Sequence, residues 1–133
     1  MIILDSDVLI TLMDKNSPLG DEILLFLKKY KEQKVTTSLN LEEILYGIYK
    51  KRSKNTKKAE NTLSNMTIIP FSKEDAIIAS KIEVEMEKKG SKRPRGDILI
   101  ASIAIRTNAK LLTLNKKHFI DIPGLEILNF TPK

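Results

Sequence analysis

The run Ile2-Ile3-Leu4, stopped at once by Asp5, narrows the possible folds more than any other stretch of the chain. A short continuous apolar run ended by polar residues reads as a strand buried on both faces, as in a parallel sheet. Asp7 follows before apolar character resumes at Val8-Leu9-Ile10. In open α/β sheets, ligands collect outside the carboxyl ends of the strands. Asp5 therefore stands where such a fold places its chemistry. Two acids directly after a central strand are costly to bury unless something neutralises them. A metal ion would do so, and so would a basic side chain. The alternative is that Asp5 or Asp7 simply caps the next helix, and the stretch alone leaves both readings open.

The rest of the chain alternates strands with helices. Ser17-Pro18 is a helix start signal, and residues 17–32 read as a helix whose apolar side is Ile23, Leu24, Phe26, Leu27 and Tyr30. Val35 to Ser38 is β-rich and reads as a strand, with Asn40 as the cap of the next helix. Leu41, Ile44, Leu45 and Ile48 then fall at i, i+3, i+4, i+7, the spacing of an amphipathic helix. Helix is expected again over Ala59–Asn65 and a short strand over Thr67–Phe71. Ser72 and Asp75 form a capping-box pattern that opens a helix to about Lys89, stopped by Gly90. Ile98 to Ile105 is apolar nearly all round and includes Ala101 and Ala104, which indicates a buried helix. Lys110–Leu114 and Glu126–Phe130 read as the last strands, separated by turn chemistry at Asp121-Ile122-Pro123-Gly124. The expected class is α/β: one domain over residues 1–133, with a mainly parallel central sheet flanked by helices.

Composition removes several chemistries. The chain of 133 residues has no cysteine, which excludes disulfides, zinc-thiolate sites and thiol catalysis. Its one histidine, His118, excludes a multi-histidine metal site within one chain. Any intrinsic metal site must then use oxygen ligands, which favours magnesium, manganese or calcium. No apolar run approaches the length of a membrane span. The N-terminus has no basic lead and meets Asp5 at once, unlike a signal peptide, so a cytoplasmic protein is expected.

The net charge of +6 suits a phosphate-rich partner. Lysines and arginines cluster at 50–58 (Lys50, Lys51, Arg52, Lys54, Lys57, Lys58) and again at Lys88, Lys89, Lys92, Arg93 and Arg95. Either cluster can be a solvated face or a nucleic-acid surface.

Against this basic background three acids stand out at element ends. Asp5 ends the first strand, Glu43 lies in the first turn of the Leu41 helix, and Asp97 opens the buried helix. Asp97 could be an ordinary N-cap. Glu43 lies opposite the apolar stripe, so periodicity alone sends it to solvent. Gly47, four residues on, costs roughly 1 kcal/mol relative to alanine and makes sense if something needs room beside Glu43.

The segments ILDSDVLI, LEEILYGI, RGDILIASIAI and LLTLNKKHF, in this order and spacing, resemble a PIN-domain ribonuclease. More narrowly they resemble a VapC-type toxin of a toxin–antitoxin pair. The likeness runs from Met1 to Phe130, and E-x-L-Y-G at Glu43–Gly47 and D-x-L-I-A at Asp97–Ala101 carry most of it. The resemblance implies metal-dependent endoribonuclease activity with Mg²⁺ or Mn²⁺. It makes Asp5, Glu43 and Asp97 the catalytic and metal-holding acids. It also implies an RNA substrate, a homodimer and a cognate antitoxin. Where many family members carry a fourth acid after the strand ending at Leu114, this chain has Asn115. Where another Asp is frequent, it has His118, read as a surface turn residue. Asp7 falls where a small polar residue is usual and could compensate. Ser6 and Asn115 are expected to support the site, and Lys92, Arg93 and Arg95 to hold the RNA backbone. Two other readings follow from the same residues. One is an inactive PIN domain that binds RNA or protein without cutting. The other is a receiver-like signalling domain, which would need a phosphorylatable Asp after a middle strand, a place Asp75 fills poorly.

Overall fold

The structure is a computed structural model, and it describes residues 1–52, 54 and 56–133. The basic stretch 49–58 includes positions 53 and 55, which lie outside the described residues. Among the described residues five strands, β1 (Ile2–Leu4), β2 (Lys34–Thr37), β3 (Ile68–Ile69), β4 (Lys110–Leu112) and β5 (Glu126–Ile127), form one sheet in the order β3-β2-β1-β4-β5. Every pairing is parallel. Among the described residues six helices surround it: α1 (Ser6–Met13), α2 (Pro18–Leu27), α3 (Ser38–Lys51), α4 (Thr56–Ser64), α5 (Lys73–Lys88) and α6 (Arg95–Thr107). Among the described residues no helix is long and apolar enough to cross a membrane.

Strand alternation splits the core between the two faces of the sheet. Ile3 and Leu111 point into one layer, with Ile82 and Met86 of α5 and Ile100, Ala101, Ile103 and Ala104 of α6. Ile2, Leu4 and Leu112 point into the other, with Val8 and Leu9 of α1, Ile23 of α2, Ile44 of α3 and Leu63 of α4. The all-apolar stretch of α6 is explained by its depth: Ile98, Ile100, Ala101, Ser102, Ile103 and Ala104 are all buried. Its two alanines let it approach α5 and the sheet closely. Its end is set by Asn108, which adopts the left-handed conformation at φ 55°.

The α/β class and the parallel sheet are as the sequence indicates, while the element bounds differ in instructive ways. The helix expected to reach residue 32 stops at Leu27, because Lys29 and Tyr30 donate to carbonyls three residues back and tighten the chain into a turn. Leu24, expected on its apolar side, is 49% exposed. Ser38 belongs to α3, since Thr37 is the N-cap and its hydroxyl accepts from Asn40 N. Asn40 is therefore not the cap but a fully buried residue of the first turn, and Glu43 moves into the second turn. The Ser72–Asp75 capping box is present in full, and Gly90 takes a positive φ of 68° just beyond α5.

Candidate active site

With β2 on one side of β1 and β4 on the other, successive crossovers leave β1 in opposite directions. The crevice beyond its C-terminal end is the topological switch point, where open α/β sheets bind ligands. Asp5 sits there, 7% exposed. Its backbone N–H continues the ladder to Leu112 O at 2.9 Å. It is also the N-cap of α1, so the capping reading holds for Asp5 alongside its place in the crevice. Oδ1 accepts from Ser6 N and from Asn40 Nδ2, both at 2.9 Å, and Oδ2 accepts from Thr113 Oγ1 at 2.7 Å. The donors follow three different strands: Ser6 opens α1 after β1, Asn40 lies in the first turn of α3 after β2, and Thr113 comes directly after β4. Asn40 is in turn fixed by Thr37 Oγ1, which donates to its Oδ1 at 2.7 Å.

The same network reaches Glu43. Asn40 Nδ2 donates to Ser6 Oγ at 2.9 Å, and Ser6 Oγ donates to Glu43 Oε1 at 3.0 Å. Although Glu43 is exposed as a residue, its carboxyl leans toward the crevice. Partial burial pushes its pKa up, as do Asp5, Asp97 and Glu42, while the Ser6 hydrogen bond pulls it down.

Asp97 completes the cluster from the opposite core layer. It is the third residue of α6, whose N-cap position is Pro94, so its side chain caps nothing. Its Oδ2 lies 2.8 Å from His118 Nδ1. Burial raises its pKa, the His118 contact opposes that, and Asp5 adds to the rise. His118 is thus a partner of the cluster and not the free surface turn residue expected from sequence. It stands on a short 3-10 turn, Lys116–His118, with Asn115 Nδ2 at 2.9 Å from its Nδ1 and 3.2 Å from its Nε2.

Asp7 lies to one side. Its Oδ1 accepts from Leu114 N at 3.3 Å. Burial raises its pKa, then Asp5 does, against the hydrogen bonds from Leu114, Val8 and Thr113. The basic candidates precede α6 in the chain. Arg93 is paired with Asp121 at 2.6 Å and Arg95 with Glu83 at 3.3 Å, while Lys92 is exposed. Only Lys92 of the three is therefore without an ion pair among the described residues. Gly47 faces open space, since a Cβ there would meet nothing within 4 Å. It lines a groove of about 690 Å³ that runs from Glu43 between α1, α3 and α4 over Leu9, Met13, Ile44 and Ile48. The receiver-like reading has no support at Asp75, which is fully buried and tied to Arg106 at 2.6 Å.

Sequence reasoning found the three acids but missed Asn40, Thr37, Thr113 and His118 as the groups that hold them. A signal was present at Thr113, which interrupts the apolar stretch Leu111-Leu112-Thr113-Leu114.

Among the described residues no three acidic or histidine groups are gathered tightly enough to clasp a metal ion as they stand. The donor set nonetheless suits one. It is made of the carboxylate oxygens of Asp5, Glu43 and Asp97, the hard donors that Mg²⁺ and Mn²⁺ take, brought together over one sheet edge.

A five-stranded parallel sheet with three acids over its switch point defines an α/β protein with an acidic crevice. The chain belongs to the PIN domain family, whose pattern matches residues 2–125. It is 38% identical over 96 residues to Ribonuclease VapC2 of Rickettsia felis, covering 71% of this chain and 72% of that protein. It is 28% identical over 93 residues to the tRNA(fMet)-specific endonuclease VapC of Salmonella typhimurium, covering 68% and 70% respectively. Among solved structures, VapBC2 from Rickettsia felis bound to a DNA fragment from their promoter superposes with a TM-score of 0.81 at 32% identity. That match covers 98% of this chain and 100% of that one.

Proposed function

We propose that this chain is a metal-dependent endoribonuclease and the toxin of a toxin–antitoxin pair. The observation that carries the reading is the cluster of Asp5, Glu43 and Asp97 at the switch point of a PIN domain. Relatives named as ribonucleases, and a similar chain crystallised as a VapBC complex, support the substrate class and the antitoxin partner. A homodimer in the cytoplasm fits the same reading.

Asp5 and Asp97 would hold Mg²⁺ or Mn²⁺ directly, with Glu43 as a further ligand or as the group that orients the attacking water. When bound, the ion supplies a nucleophile from water at neutral pH and neutralises charge on the phosphoryl oxygens. The chain's own residues set the geometry. Asn40, Ser6 N and Thr113 fix the Asp5 carboxylate, and Ser6 Oγ fixes Glu43. Asn115 supports His118. Lys92 holds backbone phosphate, a contact that positions RNA without reading its sequence. Arg95 adds to it, since its exposed pair with Glu83 is weak. Arg93, committed to Asp121, shapes the loop instead.

The test is cleavage of a structured RNA by purified Asp5→Asn and Asp97→Asn proteins beside the parent. Both variants are expected to remain folded and to lose cleavage. Cleavage at the parent rate by either one overturns the assignment. The alternative, a PIN domain that binds without cutting, draws on the uncharged Asn115; RNA retention by a folded parent that never cleaves would favour it.

A further inference from the structure

Each acid in the crevice is tethered by a donor from elsewhere in the chain. Asp5 has two such donors, Asn40 and Thr113, beside the neighbouring Ser6 N–H, and Glu43 has Ser6. Asp97 has one, and it is a side chain nothing above assigns to the reaction: His118, whose Nδ1 lies 2.8 Å from Oδ2. Among the described residues no hydrogen bond reaches Asp97 Oδ1. As the third residue of α6, Asp97 gets no orientation from a capping bond either.

The imidazole is itself well placed. The 3-10 turn that carries it is closed by His118 N to Asn115 O at 3.1 Å and Phe119 N to Lys116 O at 3.0 Å. Phe119 anchors that turn in the core at 1% exposure. The Asn115 amide Nδ2 lies beside the ring, 2.9 Å from Nδ1 and 3.2 Å from Nε2. A hydrogen-bonded turn and a buried anchor place Nδ1 on one carboxylate oxygen. A carboxylate gripped by one oxygen presents the other in a fixed direction.

We propose that His118 is a positioning residue for the acidic cluster, holding Asp97 by Oδ2 so that Oδ1 is presented to a divalent cation. This rests on the metal-dependent reading above. Groups that orient metal ligands in this way change affinity by about 10–100-fold when removed.

The test is Mn²⁺ binding followed by electron paramagnetic resonance on the full chain, without RNA. His118→Ala is expected to bind Mn²⁺ about 10–100-fold more weakly. Its melting temperature should stay near the parent's, because the His118 side chain is 42% exposed. His118→Gln, whose amide can donate to Oδ2, should recover part of the affinity. Unchanged affinity in His118→Ala overturns the proposal. So does a directly bound nitrogen in the pulsed spectrum of the parent, which would make the imidazole a ligand and not a positioner. A folded parent that binds no Mn²⁺ overturns instead the metal-dependent reading beneath it.

Discussion

Asn40 is the structural centre of the acidic crevice, and replacing it by alanine is the most informative single perturbation. The side chain has no exposed surface and makes three hydrogen bonds. The bond to the Asp5 carboxylate involves a charged acceptor, a class worth about 1.5–3 kcal/mol. The bond to Ser6 Oγ is of the neutral kind, worth about 1 kcal/mol. Removing the amide oxygen also leaves the Thr37 hydroxyl, itself fully buried, without its acceptor, at a cost of about 1–3 kcal/mol. These terms share one network and do not simply add. We expect Asn40→Ala to destabilise the protein by about 3 kcal/mol. With a urea slope of about 1.5–2 kcal/mol per molar, the unfolding midpoint falls by roughly 1.5–2 M. Glu42→Ala, two residues on and exposed, should move it by no more than about 0.5 kcal/mol equivalent. RNA cleavage should fall in Asn40→Ala even where the protein is folded, because Asp5 and Ser6 lose their common donor. A midpoint within about 0.3 M of the parent's, with cleavage intact, would refute the view that this network holds the site.

Three further perturbations probe other parts of the account. Burial alone would raise the Asp75 pKa, but hydrogen bonds from Arg106 and Ser72 hold it below the ordinary carboxylate value. A depressed folded pKa contributes stability above the unfolded value of about 3.9 and loses it as pH falls through the folded value. Arg106→Ala should therefore cost about 2–3 kcal/mol at neutral pH and flatten the acid limb of a stability–pH curve; an unaltered acid limb contradicts the pairing. Gly47→Ala adds a methyl that meets nothing within 4 Å, so thermal melting should show a gain of about 0.5–1 kcal/mol. Lys92→Ala should weaken RNA binding by a similar factor across sequences and reduce the salt slope by about one; a sequence-dependent loss would instead mean that Lys92 reads bases.

Asp5 and Asp97 were legible because each breaks a local pattern: Asp5 ends an apolar run, and Asp97 meets a helix too apolar for a surface, whereas Glu43 follows the pattern of a solvent-facing helix residue and stood out only by its place near a helix start and by the family resemblance. Alternating strand and helix signals likewise gave the layered architecture. Element ends were less legible, since they depend on hydrogen bonds that periodicity does not encode. Thr37 and Asn40 are both good cap residues, and only the backbone geometry decides that Thr37 caps while Asn40 turns inward. Leu24 shows the same limit on the packing side, because an apolar residue on a helix is not obliged to be buried. His118 was unreadable for a different reason. Its partner Asp97 is 21 residues away in sequence, and the pairing exists only once β4 and α6 are placed side by side.

The most direct test of the central claim is to incubate the purified protein with a structured RNA in Mg²⁺ or Mn²⁺ and, in parallel, in EDTA. Cleavage is expected with either metal, none in EDTA, and restoration when metal is returned in excess. Cleavage that persists undiminished in EDTA would contradict a role for the acidic cluster as a metal-holding site.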